Sequence, residues 1–227
     1  MTRIKWLSAE WPVSLRTIAS RMRSRPFTPD NMDGFFVERV RDNKIEGRFV
    51  EKFAFAEKVT DPFGNEHVFE RINYSQVSFQ LNTEFPQIEL RDAPRGLGVY
   101  LTRLSELTDF SVSISPISVD LLGWIEAIQA QTRAKAVVDS LDVSDLIADA
   151  GVTARVVIKG DRDVRQALHG LARNRKYSLE KLHLKLFDST GITLLQLSSA
   201  GSVKLQDGSV ERVLDIVRQA MPTQPRE

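Results

Sequence analysis

The chain has 227 residues, with 31 Lys and Arg against 30 Asp and Glu, 42% hydrophobic residues and no cysteine. Its mean hydropathy is -0.22, so it can fold around an ordinary apolar core. The lack of cysteine excludes a disulfide framework, a zinc–thiolate site, an iron–sulfur cluster and a cysteine nucleophile. The first residues, Met1 to Trp6, have no apolar signal-peptide core. No run approaches the ~18 apolar residues of a spanning helix. A cytoplasmic protein without membrane contact is expected.

Arg3 to Leu7 reads as a strand, with Ile4 and Trp6 alternating against Arg3 and Lys5. Pro12 suits a first helical position, and Leu15, Ile18, Ala19 and Met22 then recur at helical spacing until Pro26 and Pro29. Gly34 to Phe85 is the most strand-like part. Phe35 to Val40 leads through a turn at Asp42-Asn43-Lys44 into Ile45 to Val59, where Phe49, Phe53 and Phe55 share a face. Asp61 to Asn65 is a second turn. Val68 to Leu81 follows with a change of phase. Val68, Ile72 and Tyr74 have one parity, while Val77, Phe79 and Leu81 have the other. A bulge near Asn73 to Gln76 is the expected reconciliation.

Ile88 to Leu90 is a short strand, and Pro94 opens a helix carrying Leu97, Leu101, Leu104 and Leu107. Phe110 to Ser115 alternates as a strand, and Ser118 can cap the next helix, with Leu121, Leu122, Ile125 and Ile128 inward. Ala136 to Val138 reads as a strand, Ser144 to Ala150 as a helical turn or two, and Val152 to Lys159 as a strand. Asp161 is the expected cap of a helix from Arg162 to Arg175. Tyr177 to Phe187 and Ile192 to Leu197 form a hairpin around residues 188–191. Ser202 to Leu205 is a last strand, and Asp207 or Ser209 caps a final helix with Val210, Val213, Leu214 and Val217 inward.

The pattern gives an α+β class, with mainly antiparallel or mixed sheets and helices packed on one face. Two subdomains are expected: a strand-rich one at 1–117 and a second at 118–222. The flexible tail would be 223–227.

Charge is uneven within this balanced chain. Arg155 to Lys185 holds nine Lys and Arg against Asp161, Asp163 and Glu180. Within it, Val164, Ala167, Leu168 and Leu171 mark a buried stripe, and Arg162, Arg165, His169, Arg173 and Lys176 mark another face, joined by Arg175. In the following strand Leu182, Leu184 and Leu186 point in while Lys181, His183 and Lys185 point out. Together these define a basic helix–strand face suited to phosphates. The bland reading is a solvated surface with helix-terminal cations. A second cluster, Arg16, Arg21, Arg23 and Arg25, lies on the first helix. Arg39, Arg41, Lys44 and Arg48 alternate with acids in the first hairpin, which fits cross-strand ion pairing.

Motifs for chemistry are sparse. The one acid followed two residues later by Lys is Asp42 with Lys44, in a turn rather than a nuclease strand. Asp139, Asp142, Asp145 and Asp149 lack the glycine and terminal glutamate of a calcium loop. His67, His169 and His183 are too scattered for a zinc set. Gly96 and Gly98 make half of a dinucleotide fingerprint, and there is no nucleophile elbow. No metal and no cofactor are expected.

These features point away from an enzyme and toward an interaction subunit. It would bind DNA, RNA or an acidic partner within a larger assembly through Arg162, Arg165, Arg173, Arg175, Lys176, Lys181 and Lys185. Two alternatives stand beside it: a metal-dependent hydrolase or nuclease using dispersed carboxylates, and a structural oligomer joined through strand edges that are rich in Phe.

Overall fold

The computed structural model describes residues 1–173, 175–188, 191–206 and 210–222. The expected turn at 189–190, the caps Asp207 and Ser209, the side chain of Val210 and the tail 223–227 lie outside the described residues. The element order is β1 (Thr2–Glu10), α1 (Leu15–Arg23), β2 (Asp33–Arg41), β3 (Lys44–Thr60), β4 (Glu66–Asn82), β5 (Ile88–Arg91), α2 (Gly98–Glu106), β6 (Ser113–Pro116), α3 (Leu121–Thr132), β7 (Lys135–Asp149), β8 (Val152–Lys159), α4 (Arg165–Ala172), β9 (Ser178–Asp188), β10 (Gly191–Ser198), β11 (Ser202–Gln206) and α5 (Val210–Gln219). The class is α+β, and the ladders are antiparallel. Among the described residues no helix is long and apolar enough to cross a membrane.

The chain divides into two compact units. One is Ala9–Ile114; the other joins Met1–Ser8 to the chain from Ser115 onward. In the first, the strand order is β2-β3-β4-β5. Phe35, Phe49, Phe79 and Tyr100 form its aromatic core, with ring centroids 5.0 to 6.1 Å apart. Leu15, Ile18, Ala19 and Met22 of α1 are buried as their spacing predicts. The helix begins after Ser14 rather than at Pro12, because the Ser14 hydroxyl accepts a hydrogen bond from the Thr17 amide. Similarly, α2 starts at Gly98, four residues beyond Pro94. Trp11 is half-buried and donates its indole N–H to the Asn82 carbonyl at 2.7 Å.

The β3–β4 hairpin is the longest feature of this unit. Its register runs unbroken from Lys44 opposite Asn82 to Thr60 opposite Glu66. No bulge interrupts Asn73 to Gln76, against the sequence expectation. Val77, Phe79 and Leu81 face the core, whereas Val68, Ile72 and Tyr74 are exposed. The phase changes because the outer half has no core to face.

In the second unit the strand order is β1-β11-β10-β9-β7-β8. Trp6 and Trp124 meet edge-on at 6.1 Å in its core. The Trp124 indole donates to the Val217 carbonyl of α5 at 2.8 Å, and Val213, Leu214 and Val217 are buried. Asp120, not Ser118, caps α3 by accepting from the Leu122 and Gly123 amides. The expected helical turn at Ser144 to Ala150 is instead the end of β7. There Leu146 and Ile147 pair with Ala154 and Thr153 of β8. Register shifts in β7 break the strict alternation that would have marked a strand. Gly151, at φ 72°, makes the turn into β8.

Candidate nucleic-acid interface

The Met1–Ser8 segment and the C-terminal chain build one sheet whose two faces differ sharply. Leu182, Leu184 and Leu186 of β9, Leu195 and Leu197 of β10, and Val203 and Leu205 of β11 are buried. The alternate residues form the other face. Cross-strand register sets them in rows. One row runs Arg3, Lys204, Gln196, His183, Ser140, Lys159. The next runs Lys5, Ser202, Ser198, Lys181, Asp142, Val157. Each row crosses six strands, or ~24 Å at the usual strand spacing.

Two carboxylates sit on this face. Asp142 accepts from the Arg155 guanidinium at 3.0 and 2.7 Å. That hydrogen bonding outweighs burial and holds Asp142 below the usual carboxylate range. Asp139 lies 3.1 Å from the Lys185 ammonium. Among the described residues, Lys5, Lys159, Lys181 and Lys204 make no ion pair.

At one end the face leads into an open cleft of roughly 880 Å³. Lys135, Val137, Lys185 and Phe187 line it from the sheet, Glu126 from α3, Arg162 from the segment before α4, and Arg165 and His169 from α4. Asp163 organises this corner. It accepts from the backbone amides of Val138 and Arg165 at 3.3 and 3.0 Å and takes the Arg165 guanidinium at 2.8 Å. Burial raises the Asp163 pKa, but these donors outweigh it and leave the carboxyl below its ordinary range.

The seven cations singled out in the sequence therefore fall into three places. Lys181 and Lys185 stand on the open sheet face. Arg162, Arg165 and Lys185 line the cleft, with Arg165 committed to Asp163. Arg173, Arg175 and Lys176 are exposed beyond the far end of α4. The helix is shorter than expected: it begins after Val164 with no side-chain cap, and Asp161 does not cap it. Its buried stripe is Val164, Leu168 and Ala172, whereas Ala167 and Leu171 are exposed. Lys5, Lys159 and Lys204 escaped the sequence reading because their proximity comes from strand order, which no local pattern encodes.

The N-terminal basic cluster is largely neutralised. Arg21 pairs with Asp109 at 2.9 Å, Arg25 with Glu106 at 2.5 Å, and Arg16 with Asp42. Among the described residues no group of three or more His, Cys, Asp or Glu could hold a metal ion. No protein-family model matches the chain, and no curated protein matches it.

Proposed function

We propose that this protein is a non-enzymatic, cytoplasmic interaction subunit that binds nucleic acid across the open face of its C-terminal sheet, within a larger assembly. In this reading the helices cover the leucine face and leave the cationic rows to the ligand. One observation carries it: Lys5, Lys159, Lys181 and Lys204, distant in sequence, share a single face and form no ion pair among the described residues, Lys181 standing opposite an Asp142 that is already held by Arg155. Phosphates are the ligand chemistry that such a face recruits, through counterion release. The cleft beyond Lys185 would receive the strand as it leaves the sheet, with Arg162 at its rim. Base stacking contributes little, since Phe187 is the one Phe, Tyr or Trp among the described residues of these rows and this cleft.

Fluorescence anisotropy with labelled single- and double-stranded DNA and RNA over a salt series tests the reading. If four lysines each neutralise one phosphate of a duplex, the log–log salt slope is about -4, or roughly 100-fold weaker binding per fourfold rise in salt. No binding at low salt would reject the proposal.

A further inference from the structure

The open face of the C-terminal sheet changes character along β9. The rows through Lys181 and His183 are polar and cationic. The next two mix cations with apolar side chains: one runs Val137, Lys185, Leu194, and the last runs Lys135, Phe187, Ile192. Phe187 is 37% exposed, Leu194 38% and Ile192 63%. Residues directly opposite in a ladder stand ~5 Å apart, so the Phe187 ring has an apolar neighbour on one side and the Lys135 stem on the other.

The cleft opens beside this patch because the sheet ends there. β8 pairs with β7 only from Ser140 onward. Before that point the segment at 160–164 covers part of the β7 edge. Gly160 and Val164 donate to the Asp139 and Val138 carbonyls, and Asp163 accepts from the Val138 amide. Lys135, Ala136 and Val137 precede that cover and line the cleft.

Charge narrows the ligand further. Four cations, Lys135, Arg162, Arg165 and Lys185, line the cleft against three carboxylates, Glu126, Asp161 and Asp163. Two of the cations are committed, Arg165 to Asp163 at 2.8 Å and Lys185 to Asp139 at 3.1 Å. Lys135 and Arg162 make no ion pair among the described residues. Arg165 spends Nε and Nη2 on Asp163, which fixes the guanidinium and leaves Nη1 unpaired among the described residues. A site for phosphate alone gains nothing from the carboxylates of Glu126 and Asp161. A nucleotide uses every part: its phosphate suits the two uncommitted cations, its amino and hydroxyl donors suit the carboxylates, and its base offers a π-face to Phe187. A volume of roughly 880 Å³ is that of a small-ligand site. A blunt duplex keeps its bases paired and stacked inward, and so cannot use the apolar patch.

We infer that this end of the sheet is a pocket for one unpaired nucleotide, with the base on Phe187, the phosphate on Lys135 and Arg162, and Glu126 accepting from the base or sugar. The inference rests on the sheet-face reading and sharpens its ligand. Lysine rows serve any phosphate backbone, whereas the pocket favours single strands and overhangs over blunt duplexes.

Anisotropy of the full chain with a blunt duplex, in DNA and in RNA, and with the same duplexes carrying a short adenine-nucleotide overhang tests this. The overhang is expected to tighten binding at least ~5-fold, the low end for one stacked base. Phe187→Leu keeps an apolar side chain but removes the π-face, and should erase that gain without shifting the melting transition. Phe187→Trp should keep the gain, and its added fluorescence should be quenched by the overhang and not by the blunt duplex. Equal affinity of the intact protein for blunt and overhang probes, or a gain that survives Phe187→Leu, would overturn the pocket and leave the sheet-face reading standing. No binding of any probe at low salt would overturn both.

Discussion

The inner and outer halves of the β3–β4 hairpin share one ladder and similar residues, yet they sit in opposite environments. Phe49 is 2% exposed and packs on Phe35 and Tyr100. Phe53, four residues on and on the same face, is 40% exposed. Hydrogen bonding is the same in both halves; the difference is the neighbours. β2, β5, α1 and the aromatic cluster surround the inner half, whereas among the described residues of this unit no third strand pairs with the outer one. A strand's alternation states which side chains share a face. Whether that face is a core or an interface depends on what the rest of the chain brings to it.

Truncation should separate the halves most strongly. Phe49→Ala is expected to cost about 3–5 kcal/mol, because a cavity opens among Phe35, Phe79 and Tyr100. Phe55→Ala should cost far less, about 1 kcal/mol, since that side chain is already 42% exposed. Urea unfolding of both checks the pair. Equal losses would mean that the outer half is buried.

Glycines give the next contrast. A Cβ at Gly47 would stand 2.4 Å from the Phe36 carbonyl oxygen and 2.9 Å from the Phe79 ring, so Gly47→Ala should cost about 1–3 kcal/mol through overpacking. Gly64, at the hairpin tip, meets nothing, but its φ is +89°. Gly64→Ala should cost only ~1 kcal/mol, from backbone strain. Thermal melts of the two variants compare crowding with conformation directly.

A smaller effect concerns charge. Glu106 accepts from Arg25 at 2.5 Å and from Arg103 at 2.8 Å, and the Arg25 hydrogen bond, with the other Arg contacts, holds its carboxyl below the ordinary range. A carboxyl depressed in the folded state adds stability above its unfolded pKa and loses it as pH falls through the folded one. The intact protein should therefore lose stability as pH drops below the usual glutamate range, and Glu106→Gln should flatten that part of the curve. At the outer end of the hairpin, Glu66→Gln should leave the unfolding midpoint nearly unchanged, because Glu66 and Lys58 form an exposed pair at 3.1 Å. Denaturant midpoints across acidic pH measure both.

Much of this architecture was legible in the residues. The α1 stripe, the turns at 42–43 and 61–65, and the leucine alternation at 182–186 follow from local spacing. Other parts were not. The end of β7 reads as a helix because bulges disturb its alternation, and its pairing partners lie on β8 and β9. The bulge expected near Asn73 presumed that both halves of β4 face one core. The candidate interface suffered most. Lys181 and Lys185 were visible as alternating cations in one strand. Lys5 and Lys204 became their neighbours only because the first eight residues join the C-terminal sheet, and a strand order of β1-β11-β10-β9 has no local signature.

The most direct test of the binding face is anisotropy with two triple variants, each first checked for an unchanged melting transition. One reverses charge at Lys5, Lys181 and Lys204; the other reverses it at Arg173, Arg175 and Lys176 beyond α4. The account predicts that the sheet-face triple weakens nucleic-acid binding at least ~10-fold and lowers the salt slope by about three, while the helix-end triple changes both far less. Binding that survives the sheet-face triple, or is abolished by the helix-end triple alone, would contradict it.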